Sequence, residues 1–256
     1  MKKNKYLIKP SISNSELTKK IEGFDQDNKK ISTNIIQEKS LTIFLNNQEI
    51  VTLMTIGDHP EYLAIGYLLN QNMLKLKDKI KNIKFEKELG VIVVRTFRKT
   101  NYEAKLKKKI TTSGCAQGTI FGDIYEEIMK IKLKSKIKIK HKWIYEISKK
   151  INLTPSLYLE AGAIHGCVII KKNNPLIYME DVGRHNAIDK IAGYMFLNNI
   201  NSNDKIFYTT GRLTSEMVIK TVKMGIPILI SRSGFTSWGV DLAKKTNLTL
   251  IGRAKG

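Results

Sequence analysis

The sequence predicts an α/β protein in which a three-layer αβα domain follows a smaller, mixed α+β domain. After Pro155, apolar segments of strand length alternate with segments of helical periodicity. Glycine-containing turns such as Gly211-Arg212 and Gly252-Arg253 follow several of these strands. The first half instead contains short strands joined as hairpins, which is typical of a mixed sheet. With 256 residues, of which 42% are hydrophobic, the chain is long enough for two modest domains.

The N-terminal half is predicted to contain a flexible segment at 1–35 and an α+β domain at 36–110. The first segment is polar and shows little periodicity. Asp58 is predicted to cap the helix of the α+β domain, with Pro60 in the first helical turn. The predicted elements are strands 41–45 and 49–55, helix 61–69, strands 80–85 and 91–97, and a further strand at 103–110.

Residues 111–256 are predicted to form a cysteine-containing loop followed by the larger α/β domain. Alternating helices and strands predict a mostly parallel sheet with helices on both faces, and ligands bind such sheets outside the carboxyl ends of the strands. Between 130 and 142 lysine alternates with isoleucine or leucine, which predicts an exposed basic strand. The predicted elements are helices 120–131, 143–151, 186–197, 215–224 and 237–245, and strands 164–171, 176–180, 205–210, 226–231 and 248–252.

Composition limits the classes of function. The formal net charge of +21 favours encounters with anionic ligands or acidic partners. Lysine supplies 38 of the 44 basic residues and is spread along the chain, so we predict a solvated basic surface and no nucleic-acid partner. No apolar run is long enough to predict a membrane span, and the basic start of the chain lacks the apolar core of a signal peptide. Two cysteines are too few for a disulfide framework, and we expect a cytoplasmic protein.

Cys115 lies in a run of small and polar residues, TTSGCAQGT at 111–119, that contains no lysine. Small neighbours leave the sulfur exposed, and Gly114 and Gly118 widen the choice of backbone angles. If a helix begins near Thr119, its positive end favours the thiolate over the thiol. The pattern is typical of a reactive cysteine, and the alternative is a small-residue turn in which the cysteine is incidental.

Four of the six arginines lie in turns of the second half: Arg184, Arg212, Arg232 and Arg253. The last three follow predicted strands, so the carboxyl ends of those strands bring them to one edge of the sheet. Arginine binds phosphate with two donors, and adjacent small residues such as Gly211 and Ser231 let a ligand reach the backbone. We therefore predict a site for a phosphate-bearing ligand. The alternative is that these arginines pair with carboxylates and brace the turns.

The segment EDVGRHNAIDK at 180–190 places two carboxylates, an arginine and a histidine at a strand-to-helix turn. His185 is a candidate general acid or base near neutral pH, assisted by Asp181 and Arg184. The alternative is a helix start in which Asp181 or Asn186 caps the backbone and Arg184 pairs with Asp189.

His165 and Cys167 alternate on one predicted strand and share a face. No further cysteine or histidine follows at the spacing of a zinc site, so no metal site is predicted. His165 is either a core histidine or a proton donor at the edge of the sheet.

Long segments of the chain resemble the FdhD family, which are sulfur-carrier proteins needed to make formate dehydrogenase active. The segment EDVGRHNAIDK at 180–190 is close to a hallmark of that family. The other matching segments are TGRLTSEMVIKTVKMGIPILISRSGFTS at 210–237, LTLIGRAKG at 248–256 and the pattern from Glu38 to Leu69.

The resemblance implies that Cys115 accepts a sulfur atom as a persulfide from a cysteine desulfurase. As a sulfurtransferase, it passes this sulfur to the molybdenum or tungsten bis(pyranopterin guanine dinucleotide) cofactor before the cofactor enters the formate dehydrogenase catalytic subunit. The resemblance also implies a homodimer, and a second domain with the cytidine deaminase fold but without the zinc ligands. The cofactor-binding segment of the family corresponds here to Arg253, Ala254, Lys255 and Gly256.

The chain departs from the family pattern at two points. Many members carry CxxC in the loop, whereas Gly118 stands here in place of the second cysteine, so Cys115 is expected to act alone. Relatives usually continue past the position of Gly256, so part of the cofactor-binding segment is expected to lie outside this sequence. Three rival functions stay open: a chaperone that binds the cofactor without sulfur chemistry, a deaminase-like nucleotide hydrolase, and a nucleic-acid binder.

Overall fold

The computed structural model of the protein describes residues 6–98, 109–111, 119–135 and 137–255, with the backbone alone at 109–111 and 119–123. In chain order the elements are β1 (Thr18–Phe24), β2 (Lys30–Ile36), β3 (Lys39–Leu45), β4 (Gln48–Thr55), α1 (Pro60–Asn70), β5 (Ile80–Glu86), β6 (Val91–Thr96), β7 (Lys109–Thr111), β8 (Thr119–Phe121), α2 (Gly122–Lys130), α3 (His141–Asn152), α4 (Leu157–Ala161), β9 (His165–Lys171), β10 (Asn174–Asp181), α5 (Arg184–Leu197), β11 (Lys205–Thr209), α6 (Ser215–Lys223), β12 (Ile228–Ser231), α7 (Ser237–Thr246) and β13 (Thr249–Ile251).

The first sheet has four strands in the order β4-β3-β6-β5. Both predicted hairpins are confirmed, because β3 pairs with β4 and β5 pairs with β6 in antiparallel fashion. A parallel pairing of β3 with β6 joins the two hairpins. Leu41, Ile43 and Leu45 alternate along β3 and are buried, so one face of this sheet is turned to the protein core.

The second sheet has five strands in the order β10-β9-β11-β12-β13. Strand β9 is antiparallel to both of its neighbours, and the other four strands run in one direction. Cys167 and Ile169 pack on one face, with α5, α6 and α7, whereas Val168 and Ile170 pack on the other face, with α3. The predicted α/β architecture with helices on both faces of the sheet is thereby confirmed.

The larger buried cluster joins the two sheets. It contains Leu41 of the first sheet, Leu63 of α1, Ile188 of α5 and Phe207 of the second sheet. Helix α1 lies directly on α5, where a Cβ added to Gly193 would approach the backbone nitrogen of Gly66 to 2.9 Å. The predicted domain boundaries at 35 and 110 stay predictions, and the core itself crosses the second of them.

Residues 18–36 form an antiparallel hairpin, β1 with β2, where we predicted no regular element. The turn between the strands is closed by Asp25, whose Oδ1 accepts hydrogen bonds from the backbone N–H groups of Asp27 and Lys29, each at 2.9 Å. Asn28 adopts a left-handed φ of 62°. Asp and Asn favour such turns, so the missed signal was turn chemistry rather than periodicity.

Asp58 does not cap α1, and that prediction is wrong. His59 occupies the N-cap with a left-handed φ of 49° and no side-chain cap, while Pro60 lies in the first turn as predicted. The Asp58 carboxylate instead accepts a hydrogen bond from Lys190 Nζ. Leaving the fully buried Lys190 ammonium without a carboxylate costs more than leaving a helix without a side-chain cap, which explains why Asp58 binds Lys190.

The segment around the cysteine loop also differs from prediction. Thr119–Phe121 is a strand paired with Lys109–Thr111, and the helix begins at Gly122 rather than near Thr119. The predicted basic strand at 130–142 is wrong, since 131–135 and 137–140 belong to no strand or helix. Of the predicted strand at 103–110, all but the last two residues lie outside the described part.

Candidate functional site

The turns that follow the strands of the second sheet are bonded to one another in sequence along one edge. Thr210 N donates to Gly166 O at 3.0 Å, and Arg232 N donates to Thr209 O at 3.1 Å. Ala254 N continues the series by donating to Ser231 O at 2.9 Å. These contacts form an edge that we call the rim: residues 209–212, 231–234 and 252–255, with the start of β9 and the end of β10.

Gly211 and Ser231 lie beneath the surface of the rim. Ser231 Oγ donates to Gly211 O at 2.6 Å and accepts from Ser233 N at 2.8 Å, and the side chain is fully buried. A Cβ on Gly211 would lie 2.9 Å from Cδ of Arg184. These two predicted ligand-binding residues therefore hold the turns in register and make room for the Arg184 side chain.

The three predicted rim arginines lie at the surface. Arg212 and Arg253 are exposed and Arg232 is half-buried, and Arg253 adopts a left-handed φ of 56°. Within the described residues none of the three forms an ion pair with a carboxylate. The alternative in which these arginines brace turns by pairing with carboxylates is therefore not what the described structure contains. Their guanidinium groups are available to an anion.

Arg232 is positioned by groups from two helices. Its guanidinium donates to Asn152 Oδ1 at 3.0 Å and lies 5.8 Å from the centroid of the Tyr158 ring, a cation–π contact. Asn152 Nδ2 in turn donates to Lys255 O at 3.0 Å, so one side chain holds both Arg232 and the C-terminal segment. Neither Asn152 nor Tyr158 was predicted, since neither belongs to a motif.

The Glu180 carboxylate fixes the backbone of Tyr158, whose ring lies against the Arg232 guanidinium. Its carboxylate oxygens accept from the backbone N–H groups of Leu157 and Tyr158, both at 2.8 Å, at the start of α4. Burial raises the pKa of Glu180 to about 7, although both N–H donors and Lys190 act in the opposite direction. Glu180 is thus a buried carboxyl that titrates near neutrality next to the rim.

The backbone of the predicted C-terminal binding residues is held by hydrogen bonds, whereas the side chains of two of them are exposed. Ala254 is buried and its carbonyl accepts from Ser148 Oγ at 3.1 Å. Arg253 N donates to Ser233 O at 2.8 Å, and the side chains of Arg253 and Lys255 are exposed. Gly256 lies outside the described residues. The segment therefore presents two basic side chains on a backbone fixed to α3 and β12.

His185 does not titrate near neutral pH. Burial, reinforced by Lys220 and Arg184, lowers its pKa to about 2, so the imidazole is neutral. Its Nε2 lies 3.2 Å from Glu216 Oε2. The structure thus places His185 in a buried position against α6, where it does not act as a general acid or base at neutral pH.

Asp181 belongs to a buried network rather than to the open rim. Lys190 Nζ lies 2.5 Å from Asp181 and 2.5 Å from Asp58, and Thr55 Oγ1 donates to the same Asp181 carboxylate. Asn186 Nδ2 donates to Asp181 Oδ1 at 3.1 Å. Burial disfavours the ammonium, but the two aspartates outweigh it and raise the pKa of Lys190. The network ties α5 to β4 and to the start of α1.

The proposed alternative for the start of α5 is not what the structure shows. Gly183 is the N-cap and no side chain caps the helix. Asp189, predicted to pair with Arg184, is buried and forms its ion pair with Lys220 at 2.7 Å.

His165 lies at the rim, half-buried beside Thr210, with Nδ1 3.4 Å from Thr210 Oγ1. Burial lowers its pKa, and Arg184 and Arg212 lower it further. His165 therefore faces the arginines as a mostly neutral imidazole.

The two cysteines are Cys115, between β7 and β8 in the sequence, and Cys167 on β9. Cys115 lies outside the described residues, and the strands on either side of its loop pair at Thr111 and Thr119. Cys167 is fully buried on β9 and its Sγ–H donates to Thr209 Oγ1 at 3.4 Å. Burial raises the pKa of the Cys167 thiol to about 12. Cys167 is therefore inert at neutral pH, because the reactive species is the thiolate.

Away from the rim, the described structure contains a large cavity. A cavity of about 1020 Å³ lies away from the rim, lined by the C-terminal ends of α1, α5 and α6, such as Leu69, Phe196 and Met224. Among the described residues no three metal-binding side chains gather in one place, and no described helix is long and apolar enough to cross a bilayer.

Comparisons with known proteins agree with the motifs at the rim. The model of the FdhD/NarQ family matches residues 36–256. The relatives named Sulfur carrier protein FdhD include one from Bacillus pumilus, 28% identical over 87% of this chain and 85% of the relative. The relative of that name from Bacillus subtilis is 29% identical over 87% of this chain and 86% of its own length.

A solved structure resembles the whole fold. It comes from Desulfotalea psychrophila and is provisionally assigned as a formate dehydrogenase accessory protein. It covers 93% of this chain and 94% of its own chain, with a TM-score of 0.73 and 26% identity. The likeness of the second domain to cytidine deaminases stays a prediction. The family match spans both sheets and every turn of the rim, and the chain therefore belongs to the FdhD/NarQ family.

Proposed function

We propose that the protein is a sulfur carrier for formate dehydrogenase and that Cys115 carries the sulfur. The observation that supports this assignment most directly is the state of the other cysteine. Cys167 is buried and its pKa is raised to about 12, so it is a poor nucleophile at neutral pH. The chain contains only two cysteines, which leaves Cys115 as the carrier.

Loading the carrier needs no oxidant. The Cys115 thiolate attacks the outer sulfur of a persulfide on a cysteine desulfurase, the sulfur–sulfur bond of that persulfide breaks, and the desulfurase cysteine leaves as a thiolate. Cys115 then bears the persulfide. Gly118 provides no second thiol in the loop, so release of the outer sulfur as sulfide takes its two electrons from a separate thiol reductant.

The acceptor in this proposal is a molybdenum or tungsten bis(pyranopterin guanine dinucleotide), which is substrate and cargo rather than a resident cofactor. Its pyrophosphates are anionic, and the rim offers Arg212, Arg232 and Arg253 without carboxylate partners among the described residues. Lys255 adds an exposed ammonium. Gly211, Ser231 and Ala254 serve this site by fixing the turns, since all three are buried.

We assign a positioning role at this site, rather than contact with the ligand, to Asp181, Arg184 and His185. Arg184 packs against Gly211 and lowers the pKa values of His165 and His185. Asp181 fixes the end of β10 through Lys190. The formate dehydrogenase catalytic subunit is the final recipient of the cargo, and a cytoplasmic homodimer is the expected form of the carrier.

Incubation with a cysteine desulfurase and cysteine, followed by intact-protein mass spectrometry, tests the carrier role. We expect the wild-type chain and Cys167→Ala to gain one reducible sulfur atom and Cys115→Ala to gain none. Retention of that sulfur by Cys115→Ala together with its loss from Cys167→Ala assigns the carrier to the other cysteine. A non-catalytic chaperone predicts instead that Cys115→Ser still supports active formate dehydrogenase.

A further inference from the structure

Phe235 is an exposed aromatic residue next to the middle turn of the rim. The turns that carry Arg212, Arg232 and Arg253 follow β11, β12 and β13, and β12 lies between the other two strands in the sheet. Phe235 directly follows the β12 turn and is 52% exposed. Neither the sulfur carrier nor the phosphate site of the proposed function makes use of this side chain.

The Phe235 residue contacts the rim turns on both sides of it. Leu213, which follows Arg212, forms a parallel β-bridge with Phe235. On the other side, a Cβ added to Gly252 would lie 2.7 Å from both Cδ1 and Cε1 of the Phe235 ring. Such an approach is too close for real atoms, so glycine leaves the space that the ring occupies. The ring is therefore held between the turns that carry Arg212 and Arg253.

The surroundings of Phe235 distinguish it from other exposed apolar residues. An exposed aromatic side chain is by itself ordinary, because much of any protein surface is apolar. No lysine occurs between Lys223 and Lys244, however, so this surface differs from the lysine-rich surface of the rest of the chain. Within the described residues, the rim arginines form no ion pair with a carboxylate. An apolar ring among cationic groups that attract phosphate matches a ligand that contains both a planar ring and phosphates.

We propose that Phe235 is a stacking platform for the planar purine ring of a nucleotide whose phosphates the rim arginines bind. Bases stack on aromatic side chains with little dependence on their identity, because every base has a π-face. The ring of Phe235 thus selects a nucleotide over a bare diphosphate, which the arginines alone do not. This inference rests on the phosphate site of the proposed function and adds the residue that recognises the ring of the ligand.

Trp238, three residues further along the chain, is the alternative platform, since it is also exposed. It lies in α7, and its ring packs against Tyr125 of α2 with a distance of 6.2 Å between the ring centroids. The Phe235 ring instead lies against Gly252, within the rim itself. Phe235 is therefore better placed to contact a ligand held by the rim arginines.

The alternative role of Phe235 is structural. In that role the ring only covers Gly252 and holds two turns of the rim together. Loss of the ring then weakens every ligand of the rim alike. A stacking role predicts weaker binding only for ligands that contain a planar ring, so the two roles differ in a measurable way.

Isothermal titration calorimetry on the full chain tests the stacking role with guanosine diphosphate, adenosine diphosphate and inorganic pyrophosphate. Phe235→Leu keeps an apolar side chain but removes the ring. We expect this variant to bind both nucleotides about fivefold or more weakly, by a similar factor, and to bind pyrophosphate within about twofold of wild type. Phe235→Trp keeps a planar ring and is expected to bind all three probes within about twofold of wild type.

The matched control is Phe97→Leu, the same change at an exposed phenylalanine that follows β6 in the first sheet. It is expected to leave the affinity for all three probes unchanged. Circular dichroism checks that each variant is folded. Should Phe235→Leu fail that check, Phe235→Met, with a longer side chain that also lacks a ring, takes its place with the same expectation.

Four results overturn the inference: no nucleotide binding by the wild-type chain, an equal loss of pyrophosphate affinity in Phe235→Leu, an equal loss in Phe97→Leu, or a loss in Trp238→Leu with none in Phe235→Leu. Failure of the sulfur-carrier role is measured separately, by mass spectrometry of Cys115. Failure of the phosphate site is also distinguishable, because it abolishes pyrophosphate binding by the wild-type chain.

Discussion

Gly66 of α1 and Gly193 of α5 meet where the two helices cross. A Cβ on Gly66 would lie 2.8 Å from the Gly193 nitrogen, and a Cβ on Gly193 would lie 2.9 Å from the Gly66 nitrogen. The helices therefore touch through their backbones, and this contact joins the first sheet to the second. Real Cβ atoms do not approach backbone atoms so closely, so neither position tolerates a side chain without moving a helix.

We expect Gly193→Ala to destabilise the protein by about 3 kcal/mol, because the two backbones must separate, although alanine itself favours a helix by about 1 kcal/mol. Urea denaturation followed by circular dichroism measures the change. Gly23→Ala in β1 is the control, since no atom lies within 4 Å of the added Cβ. Equal stability of the two variants would show that the crossing adapts without cost.

Lys190→Met removes the ammonium that neutralises Asp181 and Asp58. The expected loss of unfolding free energy is about 3 to 5 kcal/mol, because the buried Asp181 and the partly buried Asp58 are left without their cation. Chemical denaturation at neutral pH measures it. Lys87→Met breaks the exposed pair with Glu16 and is expected to change stability little. A small effect at Lys190 would mean that water enters the network and solvates the aspartates.

Glu180→Gln is expected to change how stability depends on pH. The carboxyl of Glu180 has a raised pKa of about 7 in the folded protein, against 4.5 as its ordinary value. Between these values the folded state holds a proton that the unfolded state has lost, so this group's contribution to stability falls as the pH rises from 4.5 to 7. The change is about 3 kcal/mol at most.

The measurement is the unfolding free energy of wild type and Glu180→Gln at several pH values across that window. The difference between the two proteins isolates Glu180 from other groups, including His185, whose lowered pKa acts with the opposite sign. Glu160→Gln, an exposed change in α4, is the control. Parallel curves for wild type and Glu180→Gln would contradict the raised pKa.

The rim arginines are expected to bind the phosphates of a guanine nucleotide. With guanosine diphosphate as probe, we expect Arg212→Gln, Arg232→Gln and Arg253→Gln each to weaken binding by about tenfold or more, as is typical for loss of a charge-assisted hydrogen bond. Isothermal titration calorimetry measures the affinity. Arg95→Gln, exposed on β6, is the control. Unchanged affinity in all three rim variants would place the phosphates elsewhere.

Tyr158 is expected to act on the same ligand only through Arg232. Tyr158→Leu removes the ring beneath the guanidinium and should weaken guanosine diphosphate about two- to fivefold, whereas Tyr158→Phe keeps the ring and the affinity. In the background of Arg232→Gln, Tyr158→Leu should have no further effect. An additive loss in the double variant would show that Tyr158 contacts the ligand itself.

The sequence was sufficient to predict the rim but not what supports it. Strand carboxyl ends meet at one edge by topology, and the turns that carry Arg212, Arg232 and Arg253 are bonded to one another there, while ligand binding by these arginines stays a prediction. Asn152 and Tyr158 reach the rim from α3 and α4, whose positions follow from packing on the sheet. No local pattern encodes that docking.

Burial explains the other differences. A histidine in an exposed turn has a pKa near neutrality. The contact between α5 and α6 buries His185 and adds neighbouring cations, and both effects lower its pKa. Asp58 has the ordinary sequence signature of a helix cap, and Lys190, more than 130 residues later, binds it instead. At Asp58 a distant charge, and at His185 burial, decided the role of a residue whose local pattern was otherwise clear.

The crossing of α1 and α5 has a consequence for biosynthesis. More than 120 residues separate Gly66 from Gly193, so at ordinary rates of translation α1 emerges from the ribosome on the order of 6 to 25 s before its partner exists. During that interval the apolar surface around Leu63 and Leu68, buried in the finished protein, stays open to other chains. The apolar core residues of the first half are therefore covered only after the second half has been made.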